Sequence, residues 1–249
     1  MSLRDNEADF DRPMLLTQAG PLRWRAGMGW LVLVGGGSWR EDETGDVDAA
    51  ALGWADLDRP TAVLPTAGQS MTEAEALIDY YTDLGGPHGY VVPIFDAAGA
   101  QSTENCRLLR EAGLVHVSDG PNTLALVRAL RGSPALDALV QAFEDGAVIV
   151  GTGAGAAALG AWVEDPETPA GREPRAVPAL GWLPNVIIVP HFKGTEEAHP
   201  LRWLLNRQPD CLGLGVPDQV ALGLGPAGEV ERVGPVQVTV VVSGLEVEA

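Results

Sequence analysis

The chain has 249 residues, of which 46% are hydrophobic and 20% charged, enough for one sizeable hydrophobic core. Its formal charge of −18 disfavours nucleic acid and anionic membranes as partners. The two cysteines form no CxxC pair, so neither a structural zinc site nor a disulfide framework is indicated, and we expect a cytoplasmic protein.

Apolar strand-like runs alternate with helical ones along the chain, which predicts a mostly parallel sheet. Residues 1–12 lack the apolar core of a signal peptide, so we expect a flexible N-terminus and a single domain over 13–249. The predicted strands lie within 29–38, 61–68, 89–96, 113–120, 147–153 and 185–192.

Helices are predicted between these strands because apolar residues recur there at spacings of three and four. Residues 164–184, rich in proline, glutamate and glycine, are predicted to be a loop. The tail alternates valine with polar residues and predicts antiparallel strands. The predicted helices cover residues 71–85, 102–113 and 122–146.

The stretch AVIVGTGAGAAALGAWV, residues 147–163, predicts a buried strand, a tight turn and an alanine-rich helix. A membrane span is disfavoured because the run is short and glycine-rich, and Glu164 and Asp165 follow it directly. In a doubly wound α/β fold, such a turn presents a reactive group at the edge of the sheet.

The GTGAGA turn at 151–156 resembles the nucleophile elbow of the serine peptidases that include cyanophycinase and dipeptidase E. The resemblance extends from about residue 29 to residue 240 and includes five further motifs in the family's order. These are VGGG at 34–37, LPTA at 64–67, DGPNT at 119–123, HF at 191–192 and GLGVPDQVAL at 213–222.

The resemblance implies a three-layer α/β sandwich of the flavodoxin-like, class I glutamine amidotransferase-like kind, with no metal or cofactor. It places Gly153 where the family has its serine nucleophile, so the hydroxyl is missing. His191 would be the base and Asp218, where the family has glutamate, would orient it. The backbone of Gly120 and Ala154 would supply the oxyanion donors. The implied pocket residues are Asn122, Thr123, Thr152 and Phe192.

Each of these residues also has a structural explanation. His191 could be a satisfied structural histidine, Asp218 could cap a local helix, and the glycines of the turn could serve close packing. Other motifs depart from the family as well. Pro121 has no backbone N–H to donate, and the arginines that follow HF in the family are matched by Thr195, Glu197 and Pro200.

Few residues could replace the missing nucleophile. Thr152 adjoins the turn but should face away from His191. Ser38, Ser118 and Cys106 remain, although Cys106 is more typical of a helix residue packed on the sheet. The four histidines show no HxH or HExxH spacing that would indicate a metal site.

Two classes of function remain open. One is a catalytically degenerate family member that acts as a binding or scaffold protein, with a small molecule or peptide as its partner. The other is a peptide or amide hydrolase with a rewired nucleophile. A third possibility is a homo-oligomer whose interface uses Trp162, Trp182 and Trp203.

Overall fold

A computed structural model describes residues 14–165, 175–194 and 199–242, so the expected flexible segment 1–12 lies outside the described residues. The strands are β1 (Leu16–Ala19), β2 (Leu22–Arg25), β3 (Leu31–Val34), β4 (Thr61–Leu64), β5 (Gly89–Val91), β6 (Leu114–Val117), β7 (Val148–Thr152), β8 (Trp162–Asp165), β9 (Arg175–Pro178), β10 (Val186–Val189), β11 (Leu212–Gly215), β12 (Ala221–Leu224), β13 (Val230–Val233) and β14 (Thr239–Val242). The α-helices are α1 (Gly45–Trp54), α2 (Met71–Asp83), α3 (Thr103–Glu111), α4 (Thr123–Leu130), α5 (Pro134–Glu144), α6 (Ala154–Leu159) and α7 (His199–Arg207).

A seven-stranded sheet forms the centre, in the order β13-β12-β3-β7-β6-β4-β5. Strands β3, β7, β6, β4 and β5 are parallel, whereas β12 and β13 are antiparallel additions at one edge. Because the parallel strands share one direction, their carboxyl ends meet at a single edge of the sheet.

Helices cover both faces of this sheet, which confirms the predicted three-layer α/β fold. Alternate residues of β3 point to opposite faces, as the period of a strand requires. Leu31 and Leu33 belong to the core beneath α3, α4, α5 and α6, and Val32 and Val34 to the core beneath α1 and α2. The inner strands are buried on both sides, which explains their continuous apolar runs.

The helices differ from the prediction at 122–146 and at two helices that the sequence did not predict, α1 and α7. The predicted helix over 122–146 is two helices, α4 and α5, because Gly132 adopts φ +70° and Ser133 caps a new helix with Pro134 in its first turn. The sequence also did not predict α1, which is uniformly rich in small and apolar residues and lacks a clear amphipathic pattern. No helix in the described ranges is long and apolar enough to cross a membrane.

The prediction of a loop over 164–184 was wrong at 164–165 and 175–178, and it was right at 179–184. Strands β8 and β9 pair there as an antiparallel hairpin, while 166–174 lie outside the described residues. The tail does form antiparallel strands, as predicted, but in two different sheets: β13 extends the central sheet, whereas β14 pairs with β11 beside β10.

Trp182 is fully buried, so its expected place on an oligomer surface was wrong.

Candidate active site at the carboxyl edge of the sheet

The turn between β7 and α6 is centred on Gly153, which adopts φ +52° and ψ −112°. L-residues rarely adopt such a backbone, and strained turns of this kind present groups at functional sites. The strand before the turn is buried throughout, and so is the helix after it. The local sequence therefore builds a rigid elbow whose central residue has no side chain.

The carboxylate of Asp119, from the loop after β6, fills the space next to Gly153. A Cβ built on Gly153 would overlap the carboxyl carbon and both carboxyl oxygens of Asp119. Asp119 Oδ1 accepts hydrogen bonds from the backbone N–H of Gly120, at 2.7 Å, and of Ala154, at 2.8 Å. The two groups expected to be oxyanion donors thus bind a carboxylate that belongs to the protein itself.

His191 lies between two carboxylates. Its Nδ1 is 2.7 Å from Asp218 Oδ1, and its Nε2 is 3.4 Å from Asp119 Oδ2. The loop after β10 carries His191 and the loop after β11 carries Asp218. His191 adopts φ +53°, which non-glycine residues rarely do, and its N–H donates to the carbonyl of Gly35. The ring is therefore fixed from both its backbone and its side chain.

Gly36 makes this arrangement possible. It follows β3 and adopts φ +145°, and a Cβ at this position would overlap the ring of His191 and the carboxylate of Asp218. The glycine run after β3 therefore serves a close approach of backbone to the His191–Asp218 pair.

The two carboxylates govern the protonation of His191. The hydrogen bond to Asp119, followed by the one to Asp218, raises the pKa of His191 to about 9, although partial burial opposes the shift. Burial would raise the pKa of Asp119, but His191 and the N–H groups of Ala154 and Gly120 outweigh it and lower that pKa. At neutral pH, the site therefore holds an imidazolium between carboxylates.

A cavity of about 190 Å³ opens beside Asp119 on the α1–α2 side of the sheet. Asp48 of α1 is buried and accepts hydrogen bonds from Thr44, Tyr80 and Tyr81, and the Tyr81 hydroxyl also lies 2.9 Å from Nδ1 of His116. The cavity is lined by Gly37, Ser38, Trp39, Arg40, Thr44, Asp48, Gln69, Leu77, His116, Ser118, Asp119 and Thr152.

Burial shifts the pKa values of His116 and Asp48, which both line this cavity. Desolvation lowers the pKa of His116 to about 4, so its imidazole is neutral at physiological pH. Desolvation likewise raises the pKa of Asp48, opposed by its hydroxyl donors Thr44, Tyr81 and Tyr80. Sequence reasoning missed this cluster, although a histidine inside the buried strand β6 was a usable signal.

The remaining predicted residues fall into two groups. Thr152 lines the cavity, as do Ser38 and Ser118. Asn122 accepts the backbone N–H of Ala125 and so caps α4, which Thr123 begins, and Phe192 packs in a cluster with Leu201 and Leu204. Asn122, Thr123 and Phe192 do not line this cavity, and the pocket role expected of them stays a prediction.

Two other expectations concern residues away from the elbow. Cys106 is buried on α3 against the sheet, as the sequence indicated. Thr195 and Glu197 lie outside the described residues, and Pro200 lies in the first turn of α7.

Asp119 was anticipated only as the first residue of a glycine-rich loop. Its position at the carboxyl end of β6 was the signal that could have found it.

Several known proteins are similar to part of this chain in sequence. The chain is 27% identical over 191 residues to the cyanophycinases of Synechococcus elongatus and Thermosynechococcus vestitus, which covers 74% of the chain and 59% of each relative. It is 28% identical over 111 residues to the cobyric acid synthase of Parabacteroides distasonis, covering 45% of the chain and 22% of that protein. The chain thus spans less than two thirds of each of these relatives.

Two solved structures have the same fold. A peptidase from an acI-B1 Actinobacterium superposes with a TM-score of 0.63 at 23% identity, covering 87% of this chain and 95% of that one. A putative peptidase E from Listeria monocytogenes superposes with a TM-score of 0.60 at 18% identity. This match covers 84% of this chain and 100% of that one. The model of peptidase family S51 matches residues 31–226, which is most of the sequence. The chain therefore belongs to peptidase family S51.

Proposed function

We propose that this family member does not carry out serine-peptidase chemistry and instead binds a small molecule or peptide at the carboxyl edge of its sheet. The observation that carries the proposal is the position of the Asp119 carboxylate. It fills the space beside Gly153 and accepts both backbone N–H groups that an oxyanion would need.

Three requirements of serine-peptidase chemistry are unmet together. Gly153 supplies no hydroxyl. His191, with its pKa raised to about 9, is mostly protonated at neutral pH and is therefore a poor general base. The N–H groups of Gly120 and Ala154 are already engaged. Because each loss alone would slow the reaction strongly, their combination supports binding rather than turnover.

A hydrolase with a rewired nucleophile is the second candidate, and Ser118 is the residue that favours it. Its hydroxyl lines the cavity together with the neutral imidazole of His116. However, general-base catalysis is most efficient when the pKa of the base is near the working pH, and the pKa of His116 is about 4. His116 would therefore activate Ser118 poorly, which makes binding the better-supported function.

Fluorophosphonate labelling tests the two candidates on the purified chain. We expect no labelled serine and no hydrolysis of dipeptide or β-aspartyl substrates, because no described serine lies beside a histidine that is an efficient base at neutral pH. Ser38→Ala and Ser118→Ala are the matched variants, since both serines line the cavity. Labelling that Ser118→Ala abolishes and Ser38→Ala leaves intact would establish the rewired hydrolase and refute the binding proposal.

A further inference from the structure

The cavity beside Asp119 contains hydrogen-bonding atoms that the protein leaves unpaired. Ser118 is 1% exposed, and within the described part of the chain its Oγ has no hydrogen-bond partner. Gln69 is half-buried as a residue, but its Oε1 atom is buried and also has no partner among the described residues. Leaving a buried polar atom unpaired costs about 1–3 kcal/mol, so such atoms in a native fold require an explanation. Both residues line the same cavity, which is the place where a ligand would pair them.

His116 adds a third acceptor to this cavity. Tyr81 donates its hydroxyl hydrogen to Asp48, so it can only accept from Nδ1–H of His116. The proton of the neutral imidazole is thereby placed on Nδ1, and Nε2 carries a lone pair. The chain of Asp48, Tyr81 and His116 thus fixes the tautomer of a histidine that lines the cavity and leaves the acceptor on Nε2.

The charges around the cavity select the sign of a ligand. Asp48 and Asp119 both line it, and the Oδ2 atom of Asp119 retains acceptor capacity beyond its long contact with His191. Among the described residues that line the cavity, Arg40 is the one arginine or lysine. It is exposed, and its guanidinium carbon lies 4.2 Å from the centroid of the Trp39 ring. Acceptors and carboxylates therefore dominate the interior, which disfavours an anion.

We propose that this cavity binds a small organic cation, a primary ammonium or an amidinium, whose N–H groups donate to Gln69 Oε1, His116 Nε2 and the Asp119 carboxylate. The Ser118 hydroxyl completes the set as a further acceptor. The volume of about 190 Å³ is more than ten times what one water needs, roughly 10–15 Å³, so a ligand of several heavy atoms fits. This inference rests on the proposed binding function and names its ligand class.

Titration of the full chain with butylammonium, butan-1-ol and butyrate tests the proposal by ligand-observed NMR. These probes share a four-carbon chain and differ in the charge of the head group. We expect butylammonium to bind, butan-1-ol to bind at least about tenfold more weakly because charge-assisted bonds are lost, and butyrate not to bind. Equal binding of the alcohol, a preference for butyrate, or no binding of butylammonium would each overturn the proposal.

Ser118→Ala links the binding to this cavity. Because the hydroxyl has no partner among the described residues, its removal should not destabilise the fold, while the affinity for butylammonium should fall about threefold to tenfold. Thr61→Val is the matched control. Its hydroxyl is also buried and unpaired within the described structure, but it lies at the amino end of β4, away from the cavity.

The variants separate failure of this inference from failure of the proposed function. Unchanged affinity in Ser118→Ala, or an equal loss in Thr61→Val, would place the cation elsewhere and overturn the inference. Labelling of wild-type Ser118 by fluorophosphonate would instead refute the proposed function, and it is read from a covalent adduct that is independent of the titration.

Discussion

The elbow at Gly153 and the cavity beneath it share Asp119 but differ in how their polar groups are satisfied. At the elbow, the N–H groups of Gly120 and Ala154 and both ring nitrogens of His191 face a carboxylate. In the cavity, Ser118 and Gln69 have buried atoms that nothing in the described chain pairs.

This difference indicates which of the two regions is open to a ligand. A substrate oxyanion at the elbow would have to displace Asp119, which costs two backbone hydrogen bonds and an ion pair. A ligand of the proposed kind in the cavity would instead pair atoms that have no partner in the described chain. The elbow is therefore closed by the protein itself, and the cavity is the part that can gain from binding.

The largest expected effect comes from reopening the elbow. Gly153→Ser alone should react slowly with fluorophosphonate, since its side chain overlaps Asp119 and its backbone strain costs about 1 kcal/mol of stability. Adding Asp119→Gly frees two oxyanion donors and should speed labelling by about a hundredfold to a thousandfold. Mass spectrometry of the adduct on the introduced serine hydroxyl, followed over time, measures both rates.

Restoration should still be partial. Pro121 offers no N–H, so turnover of a dipeptide by the double variant should stay below about 1 per second, the low end for working enzymes. Asp119→Gly alone is the control, because it opens the site without adding a hydroxyl. If Gly153→Ser alone labelled as fast as the double variant, the view that Asp119 closes the elbow would be wrong.

The next largest effect concerns the buried hydrogen bonds that Asp48 accepts from Thr44, Tyr80 and Tyr81. Asp48→Asn removes the carboxyl group that accepts from three hydroxyls and should lower the free energy of unfolding by about 2–3 kcal/mol, measured by urea denaturation at pH 7. Asp46→Asn, on the same helix but exposed, should change it by less than about 0.5 kcal/mol. Equal effects of the two variants would show that the buried network contributes nothing to stability.

The smallest expected effect is the pH dependence of the elbow. The pKa of His191 is about 9 in the folded chain, against an ordinary 6.5, so the folded state holds the proton more tightly. The stabilisation is fully present below about pH 6.5 and is lost as the pH rises through about 9. Because His191 is half-exposed, solvent screens the effect, and we expect a change of only about 1–3 °C in the unfolding midpoint.

His191→Asn is the variant for this measurement, since asparagine tolerates the positive φ of the position. The difference in midpoint between wild type and variant should be largest near pH 6 and shrink by pH 10, as followed by differential scanning calorimetry. A difference that stayed constant across this range would mean that the two carboxylates do not hold a proton on His191.

Much of the fold was readable from the sequence because its signals are local. Buried parallel strands appear as unbroken apolar runs, helices show apolar spacings of three and four, and a strand followed by GTGAGA predicts the turn at Gly153. The same locality explains the errors. The 122–146 segment carried its own break at Gly132 and Ser133, whereas α1 lacked an amphipathic pattern, and β8 and β9 pair only with each other among the described strands.

The candidate site shows the boundary between what sequence and tertiary structure decide. By itself, the sequence determined that the central residue of the elbow has no side chain, because it is glycine. It also marked His191 at the end of an apolar strand, whereas Asp218 was named only through the family resemblance. Only the tertiary structure decided that Asp119 fills the space beside Gly153, since the two are 34 residues apart and meet because β6 and β7 are neighbours in the sheet. The Asp48–Tyr81–His116 network likewise arises from packing of α1 and α2 on β6, and contacts between distant segments leave no periodic trace along the chain.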